Sequence, residues 1–107
     1  MATFYALGKY TAQGYQGFWK DPKSDRAQAA RTAAEAVGAK LVSYTGLRGP
    51  YDFLAVFEGT FGQGAGVKMA TEASGALCNI AVCEAININD VAANAAKIAS
   101  AYKGPGK

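Results

Sequence analysis

Two carboxylates lie beside apolar segments, where an acidic side chain could serve as a general base or as a hydrogen-bond acceptor. Asp52 follows Pro50 and Tyr51 and precedes the alternating run 53–58. As a base it would take a proton from a ligand that a tyrosine hydroxyl orients. In the alternative interpretation it accepts backbone N–H bonds at the turn after the proline, as aspartates commonly do. The sequence favours the turn role and leaves both interpretations open.

Glu84 is the second candidate base, because it lies among the apolar residues of the last predicted strand. An unpaired buried carboxylate is costly, so this side chain either faces solvent or is buried beside a partner. If Tyr5, Tyr44 or Lys9 were that partner, Glu84 would be an acid of perturbed pKa inside a cavity. The sequence does not choose between the two environments.

Aromatic side chains provide the candidate ligand-binding surface. Tyr5, Tyr44 and Tyr51 lie on predicted strands, and Trp19 belongs to the aromatic segment 15–19. These four residues, together with the aspartate at position 52, are the ones expected to contact a ligand. The aromatic segment could form a lid over that ligand, or it could seal the edge of a dimer. The seal is favoured, because aromatic residues are enriched at protein interfaces.

Histidine is absent from the sequence, which removes the usual general base and the commonest metal ligand. No dinucleotide-binding, P-loop, CxxC or GxSxG motif occurs in the required context. The glycine-rich segment 62–66 resembles a phosphate cradle but lacks the lysine spacing of a P-loop, so a flexible loop is predicted there. The sequence therefore predicts neither a metal site nor a cofactor.

Length and charge limit the functional classes further. The 107 residues suffice for one domain, predicted over residues 1–103 with a disordered tail at 104–107. The net charge of +3 is dispersed along the chain, whereas nucleic-acid binding requires a basic stripe or cluster. No apolar run approaches the roughly 20 residues that span a bilayer. Neither a nucleic acid nor a membrane is expected as a partner.

The cysteines indicate a reducing compartment. A single pair, Cys78 and Cys83, is not a disulfide framework, and we expect a cytoplasmic protein. On one regular strand the two side chains would project to opposite faces and could not form a bridge. Both are predicted to be buried small apolar residues.

Periodicity predicts the elements that must position these side chains. Strands are expected at 3–10, 40–47, 51–58 and 77–88, and helices at 24–38, from about 65 to 74, and at 90–102. The connection 11–24 contains two glycines and a proline and cannot be helical throughout. The order βαββαβ predicts an α+β, ferredoxin-like domain with a four-stranded antiparallel sheet, followed by a C-terminal helix.

The predicted sheet is apolar on both faces. Tyr51, Phe53 and Phe57 fall on one side of the third strand, and Leu54 and Val56 fall on the other. Because both helices cover one face, the second face would expose a large apolar patch, which is uncommon on monomers. We therefore expect the chain to associate with copies of itself, as a homodimer or a higher oligomer, through the open sheet face.

Three short motifs carry a resemblance to a known family. They are the stretch 8–11 (GKYT) followed by Gly14, the stretch 49–52 (GPYD), and the stretch 75–79 (GALCN). In order and spacing they resemble the GYD-domain family, small proteins of the dimeric α/β-barrel type. The resemblance spans residues 3–88 and implies that barrel architecture. It implies no particular activity.

Three functions are compatible with these observations. The first is a non-catalytic oligomeric module that binds a small apolar or aromatic ligand between the helices and the sheet. The second is a cofactor-independent enzyme of monooxygenase or isomerase type, with Asp52 or Glu84 as the base. The third is a structural or regulatory subunit whose open sheet face binds another protein. The lack of histidine disfavours the enzyme.

Overall fold

The computed structural model describes residues 2–106, which form four strands and four helices in the order β, α, α, β, β, α, β, α. The strands are β1 (Ala2–Tyr10), β2 (Lys40–Gly46), β3 (Phe53–Gly59) and β4 (Leu77–Glu84). The helices are α1 (Ala12–Lys20), α2 (Arg26–Ala36), α3 (Phe61–Ala73) and α4 (Ile88–Ala101). Met1 and Lys107, the ends of the predicted domain and tail, lie outside the described residues.

The strands form one antiparallel sheet in the order β2-β3-β1-β4. This order confirms the ferredoxin-like α+β prediction. Helices α2 and α3 pack on one face of the sheet, because strand alternation turns a row of apolar side chains toward them. Phe4 is 1% exposed at the centre of this face and stacks on Phe57 with ring centroids 5.5 Å apart. The buried residues are Phe4, Ala6, Ala34, Ala39, Leu41, Phe53, Ala55, Phe57 and Ile80.

Helix α1 occupies most of segment 11–24, which was predicted as a connection that is not helical throughout. The Thr11 hydroxyl caps the helix by accepting the N–H of Gly14 at 3.1 Å. Gly14 allows a close approach, because a Cβ there would overlap the backbone oxygen of Ala76. The segment is helical over residues 12–20 and not over residues 21–25, so the prediction that it is not helical throughout is confirmed, but a helix within it was not predicted.

Helix α3 begins at Phe61, four residues before the predicted start, so the prediction of a flexible loop at 62–66 is wrong. Thr60 and Gln63 form a capping box: the Thr60 hydroxyl accepts the Gln63 N–H, and Gln63 Oε1 accepts the Thr60 N–H at 2.9 Å. Such a cap stabilises a helix start by about 1 kcal/mol, comparable to the penalty of one helical glycine. Gly64 faces the ring of Phe57, where a larger residue would clash.

Strand β4 contains a bulge that changes which side chains share a face. Asn79 has a φ of +53°, and the pairing with β1 shifts between Leu7 and Lys9. Cys78 is therefore opposite Lys9, and Cys83 is opposite Tyr5, so both cysteines lie on the open face. The prediction that they project to opposite faces is wrong. Cys83 is exposed rather than buried, and Cys78 is half-buried.

Helix α4 leaves the sheet at the end of β4, which is an edge strand. The strand stops at Glu84, before the predicted end at residue 88, and Asn87 caps α4 by accepting the N–H groups of Asn89 and Asp90. Every residue of α4 is exposed. The molecule is consequently elongated, with extents of 62 × 29 × 23 Å.

Candidate functional site

The three motifs of the sequence meet at one end of the sheet. Strand β1 ends at Tyr10, whose N–H donates to Asp52 Oδ2 at 3.0 Å, while the Asp52 N–H donates to the Gly8 carbonyl at 2.8 Å. On the other side, the Thr11 N–H donates to the Ala76 carbonyl at 3.1 Å. Residues distant in sequence are thus joined through the last residues of the central strand. We call residues 8–14, 52 and 75–76 the motif junction.

Asp52 is the charged residue of the motif junction. Its Oδ2 also accepts the Tyr15 hydroxyl at 2.7 Å. These two donors, first the Tyr15 hydroxyl and then the Tyr10 N–H, lower the pKa of Asp52. The carboxylate is therefore ionised at neutral pH and already hydrogen-bonded. This arrangement suits an acceptor that fixes α1 against β1, and the backbone donor comes from the end of β1 rather than from the turn.

Asp52→Asn is expected to remove an acid-sensitive part of the stability. Because the folded pKa lies below the unfolded value of about 3.9, the carboxylate stabilises the fold above about pH 5. This contribution is lost as the pH falls through the folded pKa. The melting temperatures of wild type and variant should therefore differ most near neutral pH and converge in acid. Glu72, whose pKa is lowered by Lys68 and the Ile80 N–H, keeps its own acid dependence in both chains.

A control for this experiment is Glu35→Gln on the exposed side of α2. The Glu35 side chain makes no hydrogen bond among residues 2–106. The melting temperature of the Glu35→Gln variant should therefore follow that of the wild type at every pH. A constant difference between wild type and Asp52→Asn from neutral pH into strong acid would mean that the ionised carboxylate contributes no stability.

Tyrosine hydroxyls continue the polar network into the domain. The hydroxyl of Tyr10 is hydrogen-bonded to that of Tyr44. Burial raises the pKa of both phenols, and the nearby charge of Arg26 lowers both to a smaller extent. Around the pair, Tyr44 stacks on Phe53 at 5.4 Å, and Phe18 meets Tyr10 edge-on at 5.0 Å. Both tyrosines are therefore neutral hydrogen-bonding groups at physiological pH.

A cavity of about 100 Å³ lies between α2, α3 and the sheet. Its walls are almost entirely apolar, because α2 presents alanines where larger residues would fill the space. Four lining residues carry polar side chains: Arg26, Tyr44, Lys68 and Thr71. Lys68 is paired with Glu72 at 2.9 Å, whereas Arg26 forms no ion pair within the described part of the chain. The cavity is therefore apolar, and its lining includes one cationic side chain, Arg26, that has no ion-pair partner among the described residues.

The structure brings together only part of the predicted site. Tyr44 lines the cavity, and Asp52 is connected to it through Tyr10. Tyr5 lies on the opposite, open face, paired with Val56 and Cys83. Its separation follows from strand alternation, which places residues 5 and 10 on different sides.

The remaining predicted residues lie outside the cavity. Tyr51 is half-buried in the turn before β3, and Trp19 is 81% exposed on α1. Glu84 is exposed at the last position of β4, opposite Phe4 and far from the motif junction. Of the two sequence interpretations of Glu84, the solvent-facing one is correct.

Sequence reasoning missed Tyr10 and Arg26. Tyr10 belongs to the first motif, and its place in the network could be predicted only if the three motifs were expected to meet in the fold. Arg26 is four residues before Ala30 and eight before Ala34, both on the side of α2 that meets the sheet. That spacing places its side chain at the cavity.

Other site types find little support in the described residues. Within residues 2–106, no group of three or more histidine, cysteine, aspartate or glutamate side chains could hold a metal ion. In the same range, no helix is both long enough and apolar enough to cross a membrane.

Comparison with known protein families gives a match. The family model of the GYD domain matches residues 4–95, which includes the whole motif junction and most of α4. No curated protein and no solved structure matches the chain.

Proposed function

The chain belongs to the GYD-domain family, and we propose that it is a homo-oligomeric module that binds a small apolar or aromatic molecule in the cavity under α2 and α3. The observation that carries this proposal is the apolar cavity, whose lining includes Tyr44 and Arg26. Ligand sites commonly combine apolar walls with a few polar groups that fix orientation. We also propose a cytoplasmic location, in keeping with two free cysteines.

The size of the cavity limits the ligand. A volume of about 100 Å³ is somewhat below that of an engineered cavity of about 150 Å³ that accepts benzene. One aromatic ring or a short branched chain is therefore the largest group that enters without adjustment of the helices. Phe53 and Tyr44 offer aromatic surfaces for such a group.

The charge of the cavity selects among ligands of that size. Arg26 has no acidic partner among the described residues, and its guanidinium can bind a carboxylate through two parallel hydrogen bonds. Tyr44 supplies a neutral hydroxyl near it. A small aromatic or branched aliphatic carboxylic acid satisfies both the walls and the cation, so this is the ligand class we propose.

The arrangement favours binding over catalysis. Neither Asp52 nor Glu84 lines the cavity, and Asp52 is occupied by two donors at the motif junction. A base must reach the proton that it removes. The cofactor-independent enzyme therefore has no observation that favours it over the binding module.

Self-association through the open sheet face remains part of the proposal. Tyr5, Leu7, Leu54, Val56 and Ala81 are exposed or half-buried on this face of the single chain. A second copy would cover this patch by a symmetric contact. A subunit that uses the same face for a different protein is the alternative, and the oligomeric state decides between them.

Benzoate is expected to raise the melting temperature by about 10 °C when present at 100 times its dissociation constant. Binding to the folded state alone adds about 2.7 kcal/mol at that concentration. Benzamide, which is neutral and of the same shape, should raise the melting temperature less than benzoate does at the same concentration. Arg26→Gln should reduce the benzoate shift to that of benzamide, as thermal unfolding would measure.

Two alanines of α2 provide a matched test of the location. Ala33 lines the cavity, and Ala36 is exposed on the same helix. Ala33→Leu should abolish the shift by filling the hollow, while Ala36→Leu should leave it unchanged. If a wide set of small acids and neutral aromatics gives no shift, the binding function is wrong. If Ala33→Leu keeps the shift, the ligand binds elsewhere.

A further inference from the structure

The single chain exposes far more surface than a compact protein of its mass. Its accessible surface is 7328 Å², whereas a folded monomer of 11.1 kDa exposes about 5,700 Å². Its radius of gyration is 17.9 Å, against about 13 Å for a compact domain of this length. The excess surface, roughly 1,600 Å² per chain, corresponds to an obligate interface between two copies, which buries about 2,000–5,000 Å² in total.

Much of this excess comes from α4 and its apolar stripe. The side chains at positions 88, 91, 95, 98 and 102 recur at spacings of three and four, the seam pattern of a helix that packs against another surface. Ile88 is 66% exposed, Ile98 62% and Tyr102 67%. The helix has 14 residues, a length at which an isolated helix is only marginally stable in water. Its stripe therefore requires a surface to cover it.

Its own domain does not provide that surface in the structure. The Ala85 N–H donates to the Thr3 carbonyl at 2.8 Å, which holds the chain to the sheet until three residues before α4. The sheet face that α2 and α3 cover is already occupied. The helix then projects from the edge strand β4. When two copies pack through their open sheet faces, this edge lies beside the sheet of the partner.

We propose that α4 is an exchanged arm, whose apolar stripe packs on a second copy of this chain while the partner's α4 packs on the first. The inference rests on the self-association proposed above and goes beyond it. It assigns to α4 a part of the interface in addition to the apolar patch of the open sheet face. When one twofold axis relates the two copies, each copy covers the apolar stripe of the other's α4, and neither stripe stays exposed.

Ile98→Asp in the full chain tests the arm, with Ser100→Asp as a control of equal charge on the opposite side of α4. Sedimentation over a range of concentrations should give a dimer for wild type and an increase of about a hundredfold in the dissociation constant for Ile98→Asp. Ser100→Asp should change it less than about threefold. Val91→Asp repeats the test at a second stripe position. Because α4 lies outside the core, both variants should retain the thermal unfolding transition of the domain.

Each outcome decides the proposal. A wild-type dimer that Ile98→Asp and Val91→Asp leave unchanged overturns the arm, while the self-association through the sheet stands. A wild-type monomer overturns both, and solution scattering then locates α4. A radius of gyration near 13 Å would mean that the helix folds back on its own sheet, whereas a value near 18 Å would mean that it projects without a partner.

Discussion

Gly14→Ala is expected to lower the free energy of unfolding by about 3 kcal/mol and the melting temperature by about 15 °C. The alanine Cβ would overlap the backbone oxygen of Ala76. That oxygen accepts the Thr11 N–H, and the Thr11 hydroxyl donates to the Gly75 carbonyl at 2.5 Å, so the Ala76 backbone is held in place. Neither side of the contact is a flexible side chain, and α1 would have to move away from the motif junction.

Gly17→Ala is the matched control, since it lies one turn further along α1 and a Cβ there meets nothing within 4 Å. Alanine is a better helix former than glycine, so this variant should be more stable by up to about 1 kcal/mol. Urea unfolding of both variants would measure the difference. If Gly14→Ala were as stable as Gly17→Ala, the close packing of α1 on residues 75–76 would be incorrect.

Phe53→Ala is expected to lower the free energy of unfolding by about 4 kcal/mol, because it removes a large buried ring from the core. Phe53 is 3% exposed, and its ring contacts Tyr44 and Tyr10 with centroids 5.4 and 5.5 Å away. The ring also packs against Gly8, where a larger residue would clash, because Phe53 Cζ is only 2.6 Å from the position that a Cβ would take. Removing the ring leaves a void that this close packing cannot fill.

Phe61→Ala is the control for the loss of a phenyl ring, because Phe61 is 60% exposed at the start of α3. It should cost less than about 1 kcal/mol. Phe53→Leu should fall between the two and remain folded if the alanine variant does not. Equal destabilisation by Phe53→Ala and Phe61→Ala in urea unfolding would contradict the burial of the residue 53 ring at the centre of the domain.

The fold could be predicted from the sequence where alternation alone decides it. Strand alternation in β1 and β3 identifies the pattern of Phe4, Ala6, Phe53 and Phe57, and the element order then determines the sheet. The helical residues that the sequence did not predict lie where glycine was treated only as a helix breaker. In α1, Gly14 is needed for contact with a distant backbone, and in α3 the capping box offsets the glycine penalty. The box was present in the sequence as a threonine followed three residues later by glutamine.

The candidate site was less predictable, because it depends on register. A shift of strand register by one residue would exchange the faces on which Tyr5 and Tyr10 lie. The bulge at Asn79 reverses the alternation of β4, and no distinctive residue pattern marks it. Asp52 was identified, but its partners Tyr10 and Tyr15 become neighbours only through the pairing of β1 with β3 and the packing of α1. Long-range pairings of this kind are not local properties of a sequence.

The antiparallel register of β1 and β4 sets two regions of the molecule at opposite ends. Tyr10 pairs with Leu77 beside the motif junction, whereas Phe4 pairs with Glu84 where the chain departs toward α4. Six residues of strand separate these ends by about 20 Å. Substitutions in the proposed arm should therefore leave the hydrogen bonds of the motif junction intact, and substitutions at the motif junction should leave the proposed contact of α4 intact.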